Sequence, residues 1–178
     1  MKDFIFSDSL PDTGYTFDFE EAFFNTASYR QHQDAHHWLS FFVLNTKHQK
    51  VFASIHFHQK NGIARSPLAA PFGSFDASGD IPAQVLFDFI QYTEKELRAR
   101  NVSTVIIKAP PSGLQGKLGP LVSIFLLNSG YKVSLAETGA LIYIESGNPE
   151  QHLHPWEERK LRQARDASLT FAKLEKED

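Results

Sequence analysis

The chain has 178 residues, the size of one ordinary domain, and it contains no cysteine, which excludes disulfide frameworks, thiolate metal sites and a cysteine nucleophile. Hydrophobic residues make up 42% and charged residues 22%, a composition typical of folded globular chains, and the sixteen phenylalanines predict a core filled by large rings. Eighteen basic and twenty-one acidic residues leave a formal charge of -3, so no global field favours nucleic acid or an anionic membrane.

The N-terminus does not have the pattern of a targeting segment. Asp3 and Asp8 stand where a signal peptide requires a basic region followed by a long apolar stretch. The longest apolar runs, such as residues 38–44, are too short to span a bilayer. We therefore expect a cytoplasmic protein with no membrane partner.

Three β-prone runs in the first half of the chain predict consecutive antiparallel strands. The first run is mainly apolar, as buried strands are, and the second alternates strictly between apolar and polar side chains. Asn61 and Gly62 predict a tight hairpin turn before the third run, because both residues tolerate positive φ angles. The expected strands are residues 38–44, 51–58 and 63–65.

A long amphipathic helix is predicted from Pro82 to about Arg100, with Ser78 or Asp80 as its cap. A β-prone run at residues 102–108 follows it and ends before two prolines. Strand, helix and strand thus come in an order typical of an α/β chain. The side chains expected in the core are Phe57, Phe89, Ile106 and Tyr143.

The last third of the chain predicts four further elements. A short apolar helix at residues 120–128 is closed by Gly130, which suits the left-handed position at helix ends. Two strands are expected next, at residues 131–135 and 140–145, and Pro155 begins a charged helix.

Residues 168–174 alternate like the first half of a strand, and the charged residues after them offer nothing for that strand to pair with. Its partner would be an edge of the same sheet, a second copy of the chain or a missing second half. We expect the missing half, so that residues 1–178 form a single domain, the first of two, and residues 168–178 lead toward the second.

Two motifs suggest ligand chemistry, and each also has a plainer interpretation. His56 and His58 point to the same face of a predicted strand, as paired metal ligands can, but no third ligand stands at motif spacing. We therefore expect them on a solvated face and assign no metal site. The glycine-rich residues 113–119 lie between a strand and a helix, where backbone amides can hold phosphate, but their spacing fits neither known phosphate motif and favours a connector.

The loop at residues 65–75 is the strongest candidate for a binding site. It places a guanidinium at the end of a strand and follows it with small residues and an aromatic ring, which is how a mainly β scaffold presents a ligand pocket. A well-packed crossover loop is the alternative. The candidate substrate-binding residues are Arg65, Ser66, Phe72, Gly73 and Ser74, and no catalytic residue is assigned.

Four segments, in their order along the chain, resemble the GNAT superfamily of N-acetyltransferases. The closest likeness is to the N-terminal half of its Fem-like, double-domain branch. The segments are Arg65-Ser66-Pro67 with Pro71-Phe72-Gly73-Ser74, residues 106–111, residues 126–131, and His154-Pro155 leading into residues 159–162.

The resemblance implies an α/β (α+β) fold, with a mixed, largely antiparallel central sheet flanked by helices, and transfer of an acyl or aminoacyl group to an amine. Two departures concern the donor. Members that bind acetyl-CoA have a Gly-x-Gly or Gly-x-Ala helix start where this chain has Asp76 and Asp80, which would repel a pyrophosphate. The family's tyrosine general acid corresponds to Leu126, which cannot move a proton.

These departures favour an acyltransferase-related domain that binds the acceptor, a small-molecule or peptide amine. Acetyl-CoA or another acyl donor would then be bound by the full-length protein and not by this chain. The alternative is a non-catalytic binding or interaction module that retains the GNAT-like fold. With either function, the expected protein partner is a second domain or another copy of the chain. The least favoured partner is tRNA. The residues that would bind it fit a solvated helix face; they are Arg159, Lys160, Arg162 and Arg165.

Overall fold

The structure, a computed structural model of the chain, describes residues 3–11, 14–138 and 153–169. The chain divides into two compact units, residues 1–138 and residues 139–178, and each is described by itself. The first unit contains the sheet. Its strands are β1 (Phe4–Ser7), β2 (Thr16–Phe17), β3 (Trp38–Asn45), β4 (Lys50–Lys60), β5 (Ile63–Ser66), β6 (Asp76–Ala77) and β7 (Thr104–Ile107).

Three helices accompany these strands in the first unit: α1 (Ala27–Gln33), α2 (Ala83–Ala99) and α3 (Leu118–Asn128). Over the described residues the strand order is β1-β3-β4-β5-β7, and the short strands β2 and β6 also pair with β4. Four of the pairings are antiparallel, while β2–β4 and β5–β7 are parallel. The predicted α/β (α+β) class, with a largely antiparallel sheet flanked by helices, is confirmed.

The three predicted antiparallel strands are present as β3, β4 and β5. Between β4 and β5 the chain turns through Asn61 at φ 52° and Gly62 at φ 73°, the two left-handed positions that a type I′ turn requires. The turn pairs Lys60 with Ile63 and therefore sets the register of the hairpin. The helix α2 then connects β5 to the parallel strand β7, as the strand–helix–strand order predicts.

The main core lies between one face of the sheet and α2. Side chains at alternate positions of β4 point to this face, and Ile55 and Phe57 are fully buried there. From α2, Leu86, Phe89 and Leu97 meet them at helical spacing. Phe89 lies at the centre of an aromatic group, 5.8 Å from the ring of Phe75 and 5.9 Å from that of Phe6.

One of the predicted core residues is wrong. Ile106 is 37% exposed, because the alternation along β7 turns Val105 and Ile107 toward the core and Ile106 away from it. Phe57 and Phe89 are confirmed as buried, and Tyr143 lies outside the described residues.

Two details of the predicted elements also differ. Residues 131–135 form no strand, and Val133 and Leu135 are exposed. The α2 cap is Pro82, without a side-chain hydrogen bond, since the Ser78 hydroxyl accepts the Asp80 N–H one turn earlier. The strand expected at residues 140–145 lies outside the described residues, and so does most of the segment 168–174.

The ends of the later helices follow local rules. At the end of α3, Gly130 adopts φ 90°, and the N–H groups of Gly130 and Tyr131 donate to the carbonyls of Leu127 and Leu126, which is the Schellman arrangement. In the second unit, α4 (Pro155–Asp166) begins with a capping box between His154 and Glu157. None of the helices in the described part of the chain is long and apolar enough to cross a membrane.

We expect Phe89→Ala to lower the free energy of unfolding by about 3–5 kcal/mol, because it leaves a cavity among rings that cannot collapse into it. Phe23→Ala is the matched control, since Phe23 is 67% exposed, and should cost less than about 1 kcal/mol. Urea denaturation of both variants in a Trp156→Phe background, followed by the fluorescence of Trp38, measures this. Equal costs would mean that α2 does not present this face to the sheet.

Candidate ligand-binding cleft

The first unit contains a cleft of about 460 Å³ with three walls. One wall is acidic and precedes α1, a second is the loop between β5 and α2, and the third is formed by α3 and the chain that leads into it. The third wall is mainly apolar. The lining residues are Glu20, Glu21, Ala22 and Phe23; Phe72, Ser74, Phe75, Asp76 and Ala77; and Ala109, Pro110, Leu114, Gln115, Leu118, Gly119, Val122, Ser123 and Leu126.

Asp76 is the most firmly held carboxylate of the cleft. Its Oδ2 accepts hydrogen bonds from the side-chain amide of Asn25, at 2.9 Å, and from the backbone N–H of Ala22, at 3.0 Å. Burial nevertheless raises the pKa of Asp76, because these two neutral donors offset only part of the cost of removing the charge from water. No ion pair to Asp76 is present among the described residues.

Glu21 lies in the acidic wall, close enough to Asp76 of the neighbouring wall for the two charges to interact. Burial raises the pKa of Glu21, the nearby charge of Arg30 lowers it, and the charge of Asp76 raises it further. Arg30 is itself partly buried, and one of its guanidinium N–H groups donates to the backbone carbonyl of Asn25. Of these two partly buried carboxylates, Glu21 is therefore partly compensated by the cation Arg30, while Asp76 is held by neutral donors.

His56 connects this acidic wall to the sheet. Its Nδ1 shares a hydrogen bond of 2.8 Å with the Ser40 hydroxyl, and its Nε2 lies 3.9 Å from the Glu21 carboxylate without a hydrogen-bond partner among the described residues. Complete burial holds the pKa of His56 well below its usual value, and Arg30 lowers it further. The imidazole is therefore neutral at physiological pH.

The expectation that His56 and His58 face solvent is wrong. They are 2% and 3% exposed, because residues 20–37, here named the cover segment, lie against their face of the sheet. A strand that alternates apolar and polar residues normally has one solvated face. Here both faces of β4 are buried, one by α2 and the other by the cover segment.

A second polar group lies at the other end of the cover segment. Asp34, the C-cap residue of α1, accepts a hydrogen bond from Nε2 of His58 at 2.8 Å, and its Oδ2 is 3.6 Å from Nδ1 of His37. The backbone N–H of His36 donates to Asp34 and is the largest of several contributions that lower the pKa of Asp34 to about 2. The ligand atoms of Asp34, His37 and His58 all lie within 4.8 Å of one another, so these residues could hold a metal ion.

The predicted binding loop contributes two of its five candidate residues to the cleft, Phe72 and Ser74. The ring of Phe72 packs edge-on against Phe24 of the cover segment at 4.9 Å, and Asn25 donates to the carbonyl of Ser74. Arg65 lies in β5, opposite His58, and does not line the cleft.

Ser66 and Gly73 hold the loop closed and are buried. The Ser66 hydroxyl accepts the N–H of Ser74, and the N–H of Gly73 donates to the carbonyl of Lys108. The two residues therefore shape the cleft from behind and do not line it.

Residues of the cover segment were missed by the sequence analysis. Glu21, Asn25 and Arg30 show no motif spacing, and Asn25 reaches Ser74 and Asp76 across about fifty residues of sequence. Asp76 was noted only as a charge that disfavours pyrophosphate, and the structure separates it from Asp80, which is exposed. The available signal was the unusual run of acids and aromatics at residues 18–24.

Comparison with known proteins adds no assignment. The sequence matches no protein-family model and no curated protein. The chemistry of the cleft therefore rests on its own geometry.

We expect the stability of the protein to fall as the pH drops below 6.5, the usual pKa of histidine, because of His56. The pKa of His56 is lower in the folded than in the unfolded chain, so acidification protonates the unfolded chain first and draws the equilibrium toward it. The loss is limited to about 1.4 kcal/mol per pH unit for one group. Glu21 and Asp76 act in the opposite direction at lower pH, since folding raises their pKa values.

The measurement compares urea denaturation of the wild type with that of His56→Gln, a variant that can still hydrogen-bond Ser40, at about pH 7.5 and about pH 5.5. The wild type should lose more stability than the variant across this interval. An equal loss would show that His56 remains unprotonated in both states or is not buried.

We expect Gly73→Ala to destabilise the protein by about 1–3 kcal/mol, because the new Cβ would lie 2.9 Å from the backbone nitrogen and Cδ of Pro67. Gly79→Ala, in the same connection between β5 and α2, has open space around its Cβ and should change the stability by less than about 1 kcal/mol. Thermal unfolding of the two variants tests this. Two unchanged melting temperatures would contradict the packing of the loop.

Proposed function

We propose that this chain is a cytoplasmic acyltransferase-related domain whose cleft binds the acceptor substrate, an amine with an apolar body. The observation that carries this proposal is the pairing of two partly buried carboxylates, Glu21 and Asp76, with an apolar wall in one cleft. The resemblance of the sequence to Fem-like acyltransferases supplies the reaction class.

The electrostatics of the cleft favour a cationic ligand. Glu20, Glu21 and Asp76 contribute three carboxylates, and Arg30 is the nearby cation that acts on Glu21. Burial raises the pKa values of Glu21 and Asp76 because it removes the carboxylate charges from water. An ammonium group placed between the two carboxylates would offset part of that cost. An anionic ligand would be repelled by the same carboxylates.

The shape of the cleft favours an acceptor with an apolar portion. Leu118, Val122 and Leu126 line the cleft from α3, one turn apart, and face the acidic wall across a volume suited to a small molecule or the end of a peptide. Phe72 lines the cleft from the loop between β5 and α2. An amine head at the carboxylates would thus have its carbon body on α3.

The acyl donor is proposed to come from elsewhere. Three backbone amides of the connection that precedes α2, near the place where the family holds the pyrophosphate, are already used within the chain: Ser78 N–H donates to the carbonyl of Phe52, and those of Asp80 and Ile81 donate to Ser78. A phosphate would have to displace these bonds and approach Asp80. We therefore assign an acceptor site, and no donor site, to the part of the chain that the structure describes.

We expect a primary arylalkylamine such as phenethylamine to bind the cleft more tightly than phenethyl alcohol, its neutral counterpart. Asp76→Asn should weaken amine binding by about tenfold, equivalent to about 1.4 kcal/mol, and leave alcohol binding unchanged. Asp80→Asn is the matched control, because Asp80 lies in the same connection and is exposed. Amide chemical-shift titrations of the wild type and the two variants measure these affinities.

Equal affinities for amine and alcohol would overturn the acceptor assignment. A separate titration with acetyl-CoA tests whether this chain also binds the acyl donor. We expect no micromolar binding by this chain alone. Micromolar binding of acetyl-CoA would instead indicate that one domain binds both substrates.

A further inference from the structure

Three metal-ligating side chains from three separate places in the chain converge beside β4. Asp34 ends α1, His37 lies in the connection to β3, and His58 belongs to β4. Nε2 of His58 and Nδ1 of His37 lie 2.8 Å and 3.6 Å from the same oxygen, Oδ2 of Asp34. All three ligand atoms fit within 4.8 Å, and a tetrahedral zinc site separates its ligand atoms by about 3.4 Å.

The group is held by a supporting shell of the kind that orients metal ligands. Oδ1 of Asp34 accepts the N–H of His36 at 2.8 Å, and the carbonyl of Asp34 accepts the indole N–H of Trp38 at 2.8 Å. The His58 ring packs edge-on against the rings of Trp38 and His37, at 5.6 Å and 5.9 Å. Two of the three ligands are therefore fixed before an ion arrives.

His37 differs from its two partners because it can adjust. Its side chain is 57% exposed, and its backbone is in the left-handed region at φ 67°, a conformation uncommon outside glycine and asparagine. The imidazole lies beside Asp34, with its Nδ1 3.6 Å from Oδ2. A small rotation of an exposed ring then completes the ligand set.

We propose that Asp34, His37 and His58 form a binding site for a divalent transition-metal ion of the zinc class. Two imidazoles and one carboxylate suit zinc and disfavour calcium or magnesium, which take mainly oxygen ligands. The ion takes the place of the proton that now lies between His58 and Asp34. Three protein ligands leave a coordination position open to water or to an external ligand.

The position of this site gives the ion a clear effect on the protein. It joins the end of α1 and the chain before β3 to the centre of the sheet, so it would fasten the cover segment over the buried histidines. Because the folded chain gathers the ligands and the unfolded chain does not, zinc should raise the melting temperature. The site is separate from the amine cleft and does not depend on the acceptor proposal.

The test uses the full chain without a histidine tag, after treatment with a chelator. Calorimetric titration with zinc chloride should show one ion per chain. In a Trp156→Phe background, in which Trp38 is the single tryptophan, nickel should quench the fluorescence because Trp38 contacts His58. His37→Asn should lower the affinities for zinc and for nickel more than tenfold. Asparagine tolerates the left-handed backbone, but the substitution removes the imidazole.

The control is His48→Asn, in the exposed turn between β3 and β4, which should bind zinc like the wild type. Absence of zinc binding at millimolar concentration would overturn the proposal. Equal zinc affinity in His37→Asn and the wild type would overturn it as well, since the ion would then be held by other histidines. If circular dichroism showed His37→Asn to be unfolded, His37→Gly would answer the same question, because glycine also accepts this backbone conformation.

Discussion

The pairing of β3 with β4 is the constraint on which the rest of the first unit depends. Alternation along these strands sends Phe41, Ile55 and Phe57 to one face and Ser40 and His56 to the other. The apolar face is buried by α2, as hydrophobic burial requires. The polar face is buried too, and buried polar groups are costly unless hydrogen-bonded, so this face dictates what must cover it.

The strand β3 and the cover segment together meet part of that requirement. Ser40 from β3 satisfies one nitrogen of His56, and Asp34 satisfies one nitrogen of His58. Glu21 and Arg30 are then drawn into partly buried positions because the same segment must pass over the sheet. Shifted pKa values in this region are therefore a consequence of one polar sheet face being closed off from water.

The amine cleft that we propose lies at the start of the cover segment. Asp76 and Glu21 give the cleft its carboxylates, while α3 contributes apolar side chains. The loop between β5 and α2 contributes to both sides, since Phe72 packs on the cover segment and Phe75 packs on α2. A site of this kind combines charge recognition with apolar contact without using a residue of a recognisable motif.

Much of the fold was determined by local signals in the sequence. The left-handed residues Asn61 and Gly62 fixed the hairpin, helical spacing placed Phe89 in the core, and Gly130 ended α3, because each depends on neighbours within a few positions. Short-range alternation alone could not tell which side of β7 faces the core, so Ile106 was misplaced.

Only the tertiary structure decided that the polar face of β4 is buried. Strict alternation in a strand is compatible with a solvated face or with one covered by distant chain, and the sequence of β4 carries no information about its cover. The contacts that bury His56 and His58 come from Glu21 and Asp34, more than twenty residues away. The cleft and the proposed metal site both depend on that long-range packing, so the sequence indicated only Phe72 and Ser74 of the cleft and only His58 of the metal site.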